Sequence, residues 1–167
     1  GNTATNGGVA YLSTKAEVTV KNSNWYANTA TSSGGAMYLG KGTLTVINST
    51  LGGDTAEAGN TAKYGGAIFA KTDKTVTIEN AALANNTASS TGGAVYVQSG
   101  TFNMYDGLIS GGSAATNGGN ICATSGDSDP GNFYVNIYGG TITGGSAANG
   151  GNIYVNNKTY LNVEGGT

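Results

Sequence analysis

The sequence predicts an all-β chain, a right-handed parallel β-helix (solenoid) of about six coils with three short strands in each. Three observations predict it. A Gly-Gly pair recurs six times, at Gly7-Gly8, Gly34-Gly35, Gly65-Gly66, Gly92-Gly93, Gly118-Gly119 and Gly150-Gly151, at intervals of 27, 31, 27, 26 and 32 residues. Such a period marks stacked repeats, each of which buries its apolar face against the next. Each pair is followed by two segments in which apolar and polar residues alternate, the pattern of strands with one buried face. No window has helical periodicity, and the 30 glycines would each weaken a helix interior by about 1 kcal/mol. Handedness follows from the right-handed preference of parallel connections.

The first strand of each repeat follows the glycines directly: Val9 to Leu12, Ala36 to Leu39, Ala67 to Ala70, Ala94 to Val97, Asn120 to Ala123 and Asn152 to Val155. Its second and fourth positions (Ile68 and Ala70, Val95 and Val97) are expected to point inward. The first and third are expected to point outward. The second strand comes next, as in Val18-Thr19-Val20, Leu44-Thr45-Val46, Val76-Thr77-Ile78, Phe102-Asn103-Met104, Val135-Asn136-Ile137 and Leu161-Asn162-Val163. Its central residues form an outward column of Thr and Asn, able to hydrogen-bond from repeat to repeat. Asn22, Asn48, Asn80, Asp106, Gly139 and Gly165 then mark a corner, where residues that tolerate left-handed backbone are favoured. The third segment carries one large apolar residue, Trp25, Leu51, Leu83, Ile109 or Ile142, and runs into a turn such as Asn28-Thr29-Ala30.

Composition narrows the function. Net charge is −2 with 10% charged residues, so neither nucleic acid nor an anionic membrane is an expected partner. One cysteine, Cys122, excludes an intrachain disulfide, and no stretch is long or apolar enough to span a bilayer. Residues 1–167 read as a single repeat segment, a slice of a longer array, with self-association through the coil ends as one consequence. Together these features point to an extracellular or bacterial cell-surface protein.

The recurrent Gly-Gly-Ala-apolar motif, in Gly35-Ala36-Met37, Gly66-Ala67-Ile68 and Gly93-Ala94-Val95, resembles the repeats of chlamydial polymorphic outer-membrane proteins, which are autotransporter adhesins. The Trp25-Tyr26-Ala27-Asn28 segment resembles that family's FxxN motif, and Leu83 to Asn86 keeps its spacing. The later repeats depart, with Asn120 and Asn152 in place of Ala and Gly112 and Gly145 in place of Asn. The resemblance implies an extracellular β-helix passenger acting in adhesion or display, with a host or bacterial surface glycan or protein as partner. The alternative is a carbohydrate-binding or carbohydrate-active β-helix whose catalytic coils lie outside this segment.

The residues themselves argue against an enzyme. The chain has no His and no Arg, which leaves no ready general base and no guanidinium to stabilise an enolate-like charge. Its carboxylates do not form the facing pair that glycoside hydrolysis requires. Glu79 and Asp106 are expected at one corner, and both read as solvated. No cofactor is expected, and no metal site beyond the weak candidate Asp127 and Asp129 in the loop Ser125 to Asn132, which lacks the full ligand set of a calcium loop. The candidate ligand-binding residues are the third-position aromatics Tyr11, Tyr38, Phe69, Tyr96 and Tyr154, whose faces suit sugars or a protein partner. Cys122 interrupts this column and is expected to be a partly exposed thiol.

Overall fold

The computed structural model describes residues 1–125, 133–156 and 158–167. Among them the chain is all-β, with parallel sheets and no α-helix, and one short 3-10 turn at Ala56–Ala58. Every strand pairs in parallel with its counterpart in the neighbouring repeat, an arrangement consistent with a β-helix. Ile68 pairs with Met37 on one side and Val95 on the other, and Ile78 with Val46 and Met104. Three sheets result. The broad sheet contains both strands that follow each Gly-Gly, from Ala10–Leu12 and Ala16–Lys21 to Ile153–Asn156 and Thr159–Val163. A second sheet carries Asn24–Trp25, Thr50–Gly52, Ala81–Ala84, Gly107–Ser110 and Thr141–Thr143.

The third sheet was expected to be a turn. Thr3–Asn6, Thr29–Ser33, Thr61–Tyr64, Thr87–Thr91 and Ser113–Ala114 form a five-stranded sheet just before the glycines. Its buried residues are Ala30, Ala62, Ala88 and Ala114, too small to give the alternation a strong apolar signal, with the polar Ser33 and Thr91. In the third and fourth repeats the two strands of the broad sheet also merge, into Ile68–Glu79 and Val95–Met104.

The core lies between the three sheets. Met37, Leu39, Ile68, Ile78, Leu83, Phe102 and Ile109 are fully buried, and Leu51 pairs with Trp25 and Leu83 in the column the sequence predicts. Inward positions of the first and last repeats, such as Ala10, Leu12, Ile153 and Val155, are only half-buried.

The two glycines of each pair have different reasons. Gly34 and Gly65 adopt φ of 65° and 62°, which suits a residue without Cβ. Gly35 and Gly66 have no such φ, but a Cβ at either would come within 2.1 Å of the next repeat's glycine carbonyl. One glycine allows the bend and the other lets successive bends stack. The bend also overturns one expectation. The residue after the pair, Ala36, Ala67, Ala94 or Asn120, is fully buried and not outward. It sits in the bend itself, ahead of the strand, so the strand's alternation does not reach it.

At the opposite corner Asn22, Asn48 and Asn80 are left-handed, with φ of 51°, 47° and 45°, and the Asn80 Nδ2 donates to Asn48 Oδ1 at 2.8 Å. In the next three repeats the left-handed residue is Gly107, Gly140 or Gly166, one place beyond the expected Asp106, Gly139 and Gly165. Glycine takes that conformation without the Cβ penalty, and Asp106 Oδ1 accepts the Gly107 N–H at 2.7 Å.

A ladder of buried amides runs along the inside of the Gly-Gly bend. Asn2 Nδ2 donates to Asn28 Oδ1 at 2.9 Å, Asn28 to Asn60 at 2.8 Å and Asn60 to Asn86 at 3.0 Å. Each acceptor oxygen also takes the backbone N–H of the preceding asparagine. Asn60 and Asn86 donate in addition to the carbonyls of Trp25 and Leu51, fastening the bend to the second sheet. In the last two repeats Gly112 and Gly145 take the place of these asparagines. There Asn120 and Asn152 enter the bend from its other side. Asn120 Oδ1 accepts the Gly112 N–H, Asn152 Oδ1 accepts that of Gly145, and Asn120 Nδ2 donates to Asn152 Oδ1, each at 2.9 Å.

Candidate functional site

The proposed aromatic column forms on the broad sheet, but it does not point uniformly outward. Tyr11 pairs in register with Tyr38, Tyr38 with Phe69 and Phe69 with Tyr96. The rings of Tyr11 and Tyr38 stack at 4.8 Å, those of Tyr38 and Phe69 at 5.2 Å, and Phe69 meets Tyr96 edge to face at 5.3 Å. Exposure falls along the column, from 54% at Tyr11 to 6% at Phe69. The rings therefore cover one another, and only the Tyr11 end offers a broad free face. Tyr96 is further held by Tyr64, 6.1 Å away, and by a hydrogen bond between its hydroxyl and that of Thr124 at 3.0 Å. Burial raises the phenol pKa of Tyr38 and Tyr96 above the ordinary value; at Tyr96 the Thr124 hydrogen bond works against it. Tyr154 is half-buried, pairs with Cys122, and has no ring neighbour among the described residues.

Cys122 is not the partly exposed thiol the sequence suggests. It is fully buried, and that burial pushes its pKa up to about 12. Its small side chain is overlaid by neighbours where a tyrosine ring would extend beyond them. The acidic candidates do not assemble into catalytic pairs. Ile78 pairs with Met104 and Ala81 with Gly107, so Glu79 and Asp106 are one step out of register. Asp127 and Asp129 lie outside the described residues. Among the described residues no group of three or more His, Cys, Asp or Glu could hold a metal ion, and no helix is long and apolar enough to cross a membrane.

Next to the aromatic column is an open cleft of about 600 Å³ that sequence reasoning missed. It is lined by Lys15, Lys41, Lys71 and Lys74, four of the seven cations in the chain, with only Glu17 and Asp73 as acids. Lys15 and Lys41 directly precede the paired Ala16 and Gly42, and Lys71 directly precedes Thr72, whose hydroxyl donates to the Gly42 carbonyl at 2.8 Å. Three successive repeats thus bring a lysine to the same cleft. Gly40, also in the lining, lies against the Tyr38 ring: a Cβ there would be 3.2 Å from it. The usable signal was the recurrence of a lysine one to three residues after Leu12, Leu39 and Ala70.

A second surface feature also went unread. On the outer face of the broad sheet Tyr134 stacks on Tyr160 at 5.5 Å, and Tyr105 on Tyr138 at 4.9 Å, all four exposed. Between the pairs runs the expected amide column, with Asn136 Nδ2 donating to Asn103 Oδ1 and Asn162 Nδ2 to Asn136 Oδ1, both at 2.8 Å.

The chain matches no family model, no curated protein and no solved structure with which it was compared.

Proposed function

We propose that this chain is a right-handed parallel β-helix of about six coils, part of a secreted or cell-surface bacterial protein that acts in adhesion or as a rigid display stalk. The observation that carries the reading is the parallel pairing of each strand with its counterpart in the neighbouring repeat. Strand follows strand in parallel at one-repeat spacing, and the outer faces repeat the same residue types as columns of Tyr, Thr and Asn. Such a structure is stiff along its stacking direction and presents periodic, solvent-facing columns suited to a repetitive surface partner. The resemblance to autotransporter passenger repeats points the same way. The role is not enzymatic: the chain has neither His nor Arg, and Glu79 and Asp106 stand out of register. The lysine-lined cleft favours one second reading, a carbohydrate-binding β-helix.

Beads coated with the folded chain should attach to epithelial or bacterial cells well above beads coated with the heat-unfolded chain. Equal attachment would reduce the proposed role to display alone. Incubation with uronic polymers should release no new chain ends or unsaturated product; sustained turnover would overturn the non-enzymatic reading.

A further inference from the structure

We infer that the lysine-lined cleft is a binding site for an acidic polysaccharide, with the polymer lying along the stacking direction across the first three repeats. The inference deepens the adhesion reading and names its ligand class.

The argument starts from electrostatic cost. Adjacent parallel strands are about 4.8 Å apart, and like charges directly opposite each other on neighbouring strands are destabilising. Lys15 and Lys41 stand in that relation, each directly before the paired Ala16 and Gly42, and Lys71 and Lys74 of the third repeat line the same cleft. None of Lys15, Lys41 and Lys71 has an ion pair among the described residues, and the ion pair of the cleft joins Lys74 Nζ to Asp73 Oδ2 at 3.3 Å. All four lysines are exposed, and the cleft holds two positive charges in excess although the chain as a whole carries −2. A repeat protein could place a Thr or Glu at this position, as it does two residues further on at Thr43 and Glu17. The clustering of four cations in one cleft implies an anion that relieves their repulsion.

The form of that anion follows from the geometry. Lysines supplied by successive repeats, about a strand spacing apart along the stacking direction, match an extended chain that carries its anions sparsely, at roughly one per unit along its length. Duplex nucleic acid presents one charge per about 1.7 Å, far denser than these lysines. The neighbouring aromatic column adds a second recognition element. Tyr11 and Tyr38 stack on the same sheet, and Gly40, which lines the cleft, lies against the Tyr38 ring, which is 3.2 Å from where a Gly40 Cβ would be. The exposed Tyr11 face suits the apolar face of a sugar ring while the lysines take its carboxylate or sulfate. Gly42, with φ of 103°, keeps the floor open, since a Cβ there would collide with the Ala16 carbonyl.

The test measures binding of the whole chain to fluorescently labelled heparin, polygalacturonate and dextran, at low and at physiological salt. The expected result is binding of at least one of the two polyanions, weakening as salt rises, and none of neutral dextran; which polyanion binds more tightly separates sulfate from carboxylate recognition. A triple variant Lys15→Gln, Lys41→Gln, Lys71→Gln should lose at least tenfold in affinity. The control triple Lys21→Gln, Lys63→Gln, Lys158→Gln removes the same charge outside the cleft and should lose less than twofold. All six side chains are exposed, so both triples should keep the native circular dichroism spectrum. Tyr11→Ala should weaken polymer binding without altering its salt dependence. Equal losses in the two triples would overturn the site, as would absence of polyanion binding or an equal preference for duplex DNA. If the cleft fails while coated beads still adhere, the adhesion reading survives and its contact surface lies elsewhere.

Discussion

Repeats one to four and repeats five and six solve the same corner in opposite ways. In the earlier repeats the buried amide comes from the strand entering the Gly-Gly bend, at Asn28, Asn60 and Asn86, and the residue leaving the bend is Ala36, Ala67 or Ala94. In the later repeats the entering residue is Gly112 or Gly145, and the amide comes from the residue leaving, Asn120 or Asn152. There is no room for both. A Cβ at Gly112 would come within 2.5 Å of Asn120 Oδ1, and one at Gly145 within 2.8 Å of Asn152 Oδ1. The fold therefore requires one amide inside each bend and is indifferent to which side supplies it. Its task is to accept the backbone N–H at the bend and to donate to a carbonyl of the second sheet, groups that would otherwise be buried without partners.

The largest effect should come from deleting a rung in the middle of the ladder. Asn60→Ala removes the acceptor for both Asn28 N and Asn28 Nδ2 and the donor to Trp25 O and Asn86 Oδ1. With each stranded buried group costing about 1–3 kcal/mol, the variant should lose roughly 3–5 kcal/mol in urea unfolding. A loss under about 1 kcal/mol would mean that water replaces the amide and that the ladder is incidental.

The exchange itself can be moved. Asn86→Gly should destabilise by about 2–4 kcal/mol. Adding Ala94→Asn should recover at least half of that, because the new amide can accept the N–H at position 86 and donate to Asn120 Oδ1, as Asn120 now does to Asn152. In the native background Ala94→Asn alone should be destabilising, since Asn86 already fills the bend. The sign of the coupling energy in this double-mutant cycle decides whether the two arrangements are equivalent.

Much of this fold is legible in the sequence because repetition multiplies weak local signals. A single Gly-Gly-Ala-Ile-Phe-Ala says little; six versions of it, each followed by a Val-Thr-Ile type segment, fix strand, face and register, and Ile68, Val76 and Ile78 are fully buried as their spacing requires. What escaped is of three physical kinds. The sheet containing Ala30, Ala62 and Ala88 buries alanines and the polar Ser33 and Thr91 but no large apolar side chain, so its alternation is faint. The amide exchange links residues eight apart in Gly112 and Asn120, and seven apart in Gly145 and Asn152, so a column-by-column reading records two unrelated departures. The cleft forms where the two halves of the broad sheet meet, by a loop in the first two repeats and a continuous strand in the third, so its lysines come together only after the strands on either side have paired.

The aromatic column offers a smaller contrast between the two regions. Tyr38 is stacked on both faces, by Tyr11 and Phe69, whereas Tyr154 pairs with Cys122 and stacks on no ring among the described residues. Aromatic pairs add about 0.5–1.5 kcal/mol each beyond area burial, so Tyr38→Ala should lose about 2–3 kcal/mol and Tyr154→Ala about 1 kcal/mol. Equal losses would show that the rings contribute only by covering the sheet.

The smallest effect belongs to the residue that interrupts that column, and pH isolates it. Cys122 is buried and its thiol is pushed up to about 12 from an ordinary 9.0. Between these values the unfolded chain has lost the proton that the folded chain retains. The folded state then binds more protons, so stability must fall as pH rises. The contribution is fully present below about pH 9 and is lost as pH climbs toward 12, with a slope of at most about 1.4 kcal/mol per pH unit. Tyr38 and Tyr96 act with the same sign, but their ordinary value of 10.0 delays them to higher pH. The window from pH 9 to 10 is therefore the cysteine's own. Urea unfolding of the native chain across that window should show a midpoint that declines with pH, and Cys122→Ala should flatten the decline whatever its effect on absolute stability. A thiol reagent should meanwhile react with native Cys122 far more slowly than with the urea-unfolded chain. Parallel pH profiles for the two proteins, or a native thiol that reacts as fast as the unfolded one, would place the sulfur at the surface and remove the distinction between it and the tyrosines on either side.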